Sequence, residues 1–241
     1  MRLNRFLAAA GVGSRRGCDP LIVEGRVEVN GEICVDLSRM VDPGHDEVRL
    51  DGERIRLPRR WLYYVLHKPA GFVTTRADEL GRRTVDDLIG SLRGRVVPVG
   101  RLDRASEGLL LLTNNGELTQ RLLHPKYRQP RTYLVWVTPA PTSPMLEEIE
   151  HGVPLGRGER SGPAHVKVLG RRGSVARVRI TLREGKNREV RRIFRHFEIK
   201  VNALRRVSYA GLELGELAPG ALRPLTGREV EQLAAVTGLS L

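Results

Sequence analysis

The 241-residue chain predicts an α+β fold. Three observations carry that expectation: helical and strand-like segments are mixed without a regular strand–helix–strand rhythm, two Asn-Gly or Asp-Gly pairs divide short alternating runs, and the chain closes on a helical repeat. Arg2 to Ala10 forms an amphipathic helix with Leu3, Phe6 and Leu7 on one face, stopped by Gly11 and Gly13. A second helix starts near Ser14 and runs to Glu24, uneven at Pro20, which has no N–H to contribute. GRVEVNGEICV then alternates Val27, Val29 and Ile33 around Asn30-Gly31, and DEVRLDGERIRL repeats the pattern around Asp51-Gly52. Such pairs favour tight hairpins.

These elements make a small module over residues 1–56, and Leu57-Pro58-Arg59-Arg60 reads as a linker, charged and broken by proline. A larger domain over residues 61–241 follows. WLYYVLHKPAG is a strand ending at Pro69-Ala70-Gly71, TTRADELGRRTVDDLIGSL is a loop leading to a short helix at Val85 to Ile89, and Val96 to Val99 is a further apolar stretch. RTYLVWV and VARVRITL alternate like strands. NREVRRIFRHF repeats with helical spacing, Val190, Ile193, Phe194 and Phe197 marking its apolar stripe, and a last helix covers Gly227 to Thr237 with Val230, Leu233 and Ala234 inward. The expected sheet is mixed and largely antiparallel, flanked by helices and loops.

Composition narrows the function classes. With 40% hydrophobic and 29% charged residues the chain reads as globular, and no apolar run approaches the roughly 20 residues that span a bilayer. The start, MRLNRFLAAAGVGSRRG, lacks the apolar core of a secretory signal, so the expected location is the cytoplasm. Cys18 and Cys34 have no zinc-ligand spacing, there is no phosphate-binding glycine loop, and neither a metal nor a cofactor is expected. The net charge is +13, and residues 1–60 supply little of it, with 11 Lys+Arg against 10 Asp+Glu. The remaining 30 bases against 18 acids place the excess downstream. A polyanionic partner is implied, nucleic acid before membrane, because neutralising phosphates releases counterions. Residues 183–206 are the densest basic segment, nine bases against three acids. Lys68, in HKPAG, reads as a solvated loop lysine or a phosphate contact.

One carboxylate stands apart. In GRLDRASEGLLLLTNNGEL, Asp103 lies between Arg101 and Arg104 and just ahead of a buried-strand pattern. A carboxylate that does chemistry must stay ionised, be held by a cation and sit on a rigid element. Taken alone, the same spacing also suits an ordinary turn or cap aspartate.

Longer motifs decide between these readings. RLNRFLAAAG, SRR at 14–16 and GRVEVNG at 25–31 resemble the S4 RNA-binding domain, whose paired helices present basic side chains to folded RNA. The resemblance implies RNA contacts for Arg2, Arg5, Arg15, Arg16 and Arg26; RGCDPLI departs from its usual second helix. HKPAGFVTT at 67–75, VGRLDRASEGLLLLTNNGEL at 99–118, RTYLV at 131–135 and LREGKNREVRRIF at 182–194 together resemble the RsuA/RluB-type pseudouridine synthases, which isomerise uridine in ribosomal RNA. That resemblance implies a catalytic aspartate at Asp103, a tyrosine at Tyr133 that stacks on the target base and helps remove its C5 proton, and a basic partner of the aspartate at Arg191. The basic density of residues 183–206 adds Lys186, Arg188 and Arg192 as candidate RNA contacts, and the resemblance further implies an RNA contact at Arg101. The chemistry it implies needs no cofactor. Its wording leans towards 23S rRNA, with 16S rRNA open, free or within an assembly particle, and a monomer is expected. The alternative is a noncatalytic RNA-binding assembly factor of the same fold.

Overall fold

The computed structural model describes residues 1–58, 60–75 and 78–240. Arg59 of the expected linker and Arg76-Ala77 of the expected loop lie outside the described residues. The chain divides into two compact units, Met1–Trp61 with Asn114–Gly116, and Leu62–Thr113 with Glu117–Leu241.

The first unit contains α1 (Leu3–Ala9), α2 (Arg15–Val23), β1 (Val27–Val29), β2 (Glu32–Ile33), β3 (Val48–Leu50) and β4 (Glu53–Ile55), its sheet ordered β2-β1-β3-β4. Leu3, Phe6 and Leu7 of α1 pack with Cys18 and Ile22 of α2 and with Val27, Val29 and Val48 of the sheet. The Ser14 side chain caps α2 by accepting from the Gly17 N–H at 2.9 Å. Contrary to expectation α2 is continuous through Pro20: the ring faces solvent, while buried Cys18 and Ile22 hold the helix on either side. Asn30 and Gly31 have φ of 55° and 85°, Asp51 and Gly52 51° and 80°. Both pairs therefore take the left-handed conformations that match a tight turn to the twist of its strands.

The second unit is built on a nine-stranded sheet. Its elements are β5 (Tyr63–Lys68), β6 (Val97–Pro98), β7 (Glu107–Thr113), α3 (Gly116–Leu123), β8 (Arg131–Thr138), α4 (Ser143–His151), a two-stranded hairpin of β9 (Pro154–Gly156) and β10 (Glu159–Arg160), β11 (His165–Arg172), β12 (Val175–Leu182), α5 (Glu189–His196), β13 (Lys200–Tyr209), β14 (Leu212–Glu213), β15 (Leu222–Pro224) and α6 (Gly227–Thr237). The order is β11-β12-β8-β13-β7-β5-β15, with β14 on β13 and β6 on β7. Its pairs are antiparallel except β13 with β7, which run parallel. Val135, Val137, Ala176, Val178 and Ile180 meet Ile149 of α4 and Val190, Ile193 and Phe194 of α5 in one core. Leu109 and Leu111 of β7 face a second core with Leu118, Leu122 and Leu233, and Leu110 and Leu112 face a third.

Two differences from the sequence reading have local causes. The short helix at Val85 to Ile89 is a single 3₁₀ turn, Val85–Leu88, fixed by a capping box between Thr84 and Asp87. KVNALRRVSY, expected as no element, is the central strand β13. Register shifts between Val201 and Ala203 and between Arg206 and Ser208 break its alternation, and polar Asn202, Arg205 and Arg206 interrupt its apolar pattern.

Candidate active site

The junction of β7 and β13 shapes the site. Arg206 pairs across the parallel ladder with Gly108, and a Cβ on Gly108 would lie 2.2 Å from the Arg206 carbonyl oxygen. Only glycine permits that approach, and its φ of 110° is one that other residues rarely adopt. Arg206 also pairs with Tyr133 on β8, so the two side chains share a face of the sheet.

That face and the loop before β7 line a cleft of about 760 Å³. Seven arginines and Lys186 border it against three carboxylates, Asp103, Glu184 and Glu189. Asp103 lies on the loop between β6 and β7, which is tied down by its backbone. Ser106 N–H donates to the Asp103 carbonyl at 3.0 Å, and Gly71 N–H donates to the Arg104 carbonyl at 2.7 Å. The Thr74 hydroxyl donates to the Leu102 carbonyl at 2.8 Å and accepts from the Leu102 N–H at 3.2 Å.

Beneath the loop lies Lys68, fully buried. Its ammonium donates to the carbonyls of Ser106 at 2.7 Å, Pro69 at 3.0 Å and Asp103 at 3.2 Å. This corrects the reading of Lys68 as a loop lysine: it ends strand β5, on the inward side with Leu66, opposite Gly108. Burial lowers its pKa to about 8, against the opposing pull of Asp103 and Glu107. Between about pH 8 and the ordinary value of 10.5 the unfolded chain then binds more protons at this position, so its contribution to stability rises with pH. The expected result is that wild type gains unfolding free energy relative to Lys68→Met between pH 8 and 10. Denaturant unfolding at both pH values checks this, and a difference independent of pH contradicts it.

The Asp103 carboxylate is 32% exposed and faces two guanidinium groups, Arg188 Nη1 at 3.8 Å and Arg191 Nε at 4.0 Å from Oδ2. Both separations are too long for hydrogen bonds, so charge holds the carboxylate while its lone pairs stay available. Arg191 projects from α5 and donates to the Ala105 carbonyl at 3.2 Å and the Val201 carbonyl at 3.4 Å, joining helix, loop and β13. Burial, then neighbouring Arg188, weakens its hold on its proton, and Asp103 opposes both; a guanidinium nevertheless stays charged. Arg188 precedes α5 in the left-handed conformation, at φ 50°. Tyr133 borders the same cleft, half-buried against Leu102 and its neighbours.

Sequence reasoning singled out Asp103, Tyr133 and Arg191, and the structure brings all three to one cleft. It did not single out Arg206. That residue is 3% exposed, its Nε donates to the Leu109 carbonyl at 2.8 Å, and its guanidinium lies 4.9 Å from the Tyr209 ring centroid. Arg101 is exposed at the cleft, and Lys186 borders it while pairing with Glu184 at 2.7 Å. Arg192 is a strut: it pairs with Glu159 and donates to the Leu155 carbonyl at 3.0 Å, with only 14% of its side chain exposed. In the first unit Arg2, Arg15 and Arg16 are exposed and Arg5 is half-buried. Arg26 is neutralised by Asp51 at 2.6 Å and by Glu24 at 3.7 Å. Among the described residues no three His, Cys, Asp or Glu side chains gather at metal-ligand spacing.

Comparison with known proteins places this geometry. The family profile described as RNA pseudouridylate synthase matches residues 62–196, which hold Asp103, Tyr133, Arg188 and Arg191. The chain belongs to that family. The profile of the S4 domain matches residues 1–48 of the synthase. An RNA pseudouridine synthase of Aquifex aeolicus is 40% identical over 99% of this chain and 96% of its own length. The ribosomal large subunit pseudouridine synthase B of Bacillus subtilis is 38% identical over 98% and 96%. A solved pseudouridylate synthase structure superposes with a TM-score of 0.71 at 30% identity, covering 97% of this chain and 99% of that one. The expected S4-fronted pseudouridine synthase fold is therefore the observed one, and the enzyme is an isomerase of RNA uridine.

Proposed function

We propose that the synthase converts a uridine of large-subunit ribosomal RNA to pseudouridine, with Asp103 as the catalytic carboxylate. The observation that carries this reading is the open Asp103 carboxylate between Arg188 and Arg191 in a basic cleft beside Tyr133. The names of the Bacillus subtilis and Pseudomonas aeruginosa relatives, both large-subunit pseudouridine synthases, support the target.

The target base leaves its stack to enter the cleft, at a cost of a few kcal/mol. Stacking on the Tyr133 ring returns about 1–3 kcal/mol of it. The N1–C1′ bond breaks with its electron pair remaining on uracil, and Asp103 assists at the ribose or the base. The ring turns, a C5–C1′ bond forms, C5 loses its proton and N1 gains one. The product is an isomer, so no group is donated and nothing is oxidised. Arg188 and Arg191 keep Asp103 oriented through each step, and the Lys68 ammonium keeps its loop in place.

Transcripts of large- and small-subunit rRNA carrying [5-³H]uridine test the reading by tritium release. Release of one equivalent from the large-subunit transcript alone is expected, and release from the small-subunit transcript alone contradicts the target. Tyr133→Phe keeps the stacking ring and removes the hydroxyl. Because a positioned acid or base contributes about 10²–10⁴-fold, kcat should fall at least about tenfold with KM changed only severalfold. A wild-type kcat shows that the hydroxyl takes no part in proton removal.

A further inference from the structure

The sheet of the second unit has a face turned away from the cleft. Along β12, Ala176, Val178, Ile180 and Leu182 point to the core that α4 and α5 complete, and Leu182 continues to the cleft. Strand alternation sends Arg177 and Arg179 the other way, and both are exposed. Their cross-strand neighbours are revealing. Arg179 stands opposite Lys167 on β11 and Leu134 on β8, and Arg177 stands opposite Trp136. Like charges directly opposite each other on neighbouring strands destabilise a sheet. Protection of an exposed edge accounts for Lys167, since β11 is an edge strand, but β12 is interior. Among the described residues Lys167, Arg177 and Arg179 have no acidic partner; of the carboxylates on this face, Glu107 is occupied by Arg205 at 2.7 Å and Glu213 stands opposite Ser208 on the β13–β14 pair.

We propose that Lys167, Arg177 and Arg179 form a second RNA-binding surface, which takes the phosphate backbone of the substrate RNA at a distance from the target nucleotide. The occupant follows from charge: three cations without acidic partners, on adjacent strands, attract a polyanion, which displaces no acid in binding them. The proposal rests on the reading of the chain as an rRNA-modifying enzyme. On that reading, this face lies outside the catalytic cleft and meets flanking rRNA.

The test uses the full chain with Lys167→Gln, Arg177→Gln and Arg179→Gln combined. Binding to a large-subunit rRNA transcript is measured against salt, together with the single-turnover rate at saturating enzyme. Each lost phosphate contact flattens the log–log salt dependence by about 0.7–0.9, so the slope should drop by about two and Kd should rise at least about tenfold near 0.15 M salt. The saturating rate should stay within about twofold, because no altered residue lines the cleft. A charge-keeping control, Arg177→Lys with Arg179→Lys, should retain the wild-type slope. An unchanged slope in the triple variant overturns the proposal. So does a loss confined to phosphatidylglycerol vesicles, which assigns the face to a lipid surface. If neither wild type nor variant modifies the transcript while the slope still differs, the rRNA reading fails and the surface stands.

Discussion

Asp103→Asn is expected to abolish pseudouridine formation, lowering the single-turnover rate by at least about 10⁴-fold, or more than about 5 kcal/mol of transition-state stabilisation. The substitution keeps the shape of the side chain and removes its charge and basicity. Binding should survive within severalfold, because the basic residues bordering the cleft attract phosphate and the Asp103 carboxylate does not. The loop should also keep its place, since its ties run through the backbone of Asp103 and Ser106 to Lys68 and not through the carboxylate. Tritium release and filter binding separate the two effects. A rate within tenfold of wild type removes Asp103 from the chemistry, and a loss of binding in parallel with rate assigns it to recognition instead.

Gly108→Ala is expected to be the most destabilising methyl in the second unit. The added carbon would sit 2.2 Å from the oxygen and 2.6 Å from the nitrogen of Arg206, both backbone atoms of the central strand, at a φ of 110°. Neither clash is relieved by a rotamer change, so the β7–β13 ladder must open. A loss above about 4 kcal/mol follows, in the range reserved for named structural defects. For a unit of this size that lowers Tm by on the order of 10 °C. Gly116→Ala, in the same motif, meets nothing within 4 Å and should leave Tm nearly unchanged. Equal effects of the two substitutions, read by calorimetry, contradict the close approach.

These two residues mark what the sequence discloses and what it conceals. The apolar run of β7, the left-handed turns at Asn30-Gly31 and Asp51-Gly52 and the stripe of α5 follow from periodicity and turn chemistry, which act over a few residues. Asp103 is visible too, but as chemistry only in company with Tyr133 and Arg191, which lie far along the chain. Lys68 was misplaced because a lysine before Pro69 suggests a loop. Extending the period-2 pattern of β5 from Tyr64 through Leu66 puts it inward, and that signal was present. Arg192 and Arg26 have no comparable signal. Their basic context suggests RNA, and only the folded chain brings Glu159 and Asp51 to them. Arg206 and Gly108 are concealed for the same reason, since the parallel β7–β13 contact joins segments about a hundred positions apart and no local pattern encodes it.

The central claim is that this chain uses Asp103 to isomerise one uridine of large-subunit rRNA. Mapping pseudouridine at nucleotide resolution tests it most directly, in rRNA from cells lacking the gene and from the same cells supplied with wild type or with Asp103→Asn. The account predicts that one large-subunit position loses its pseudouridine, regains it with wild type and stays unmodified with Asp103→Asn. Restoration by Asp103→Asn, or an rRNA pattern unchanged by loss of the gene, contradicts it.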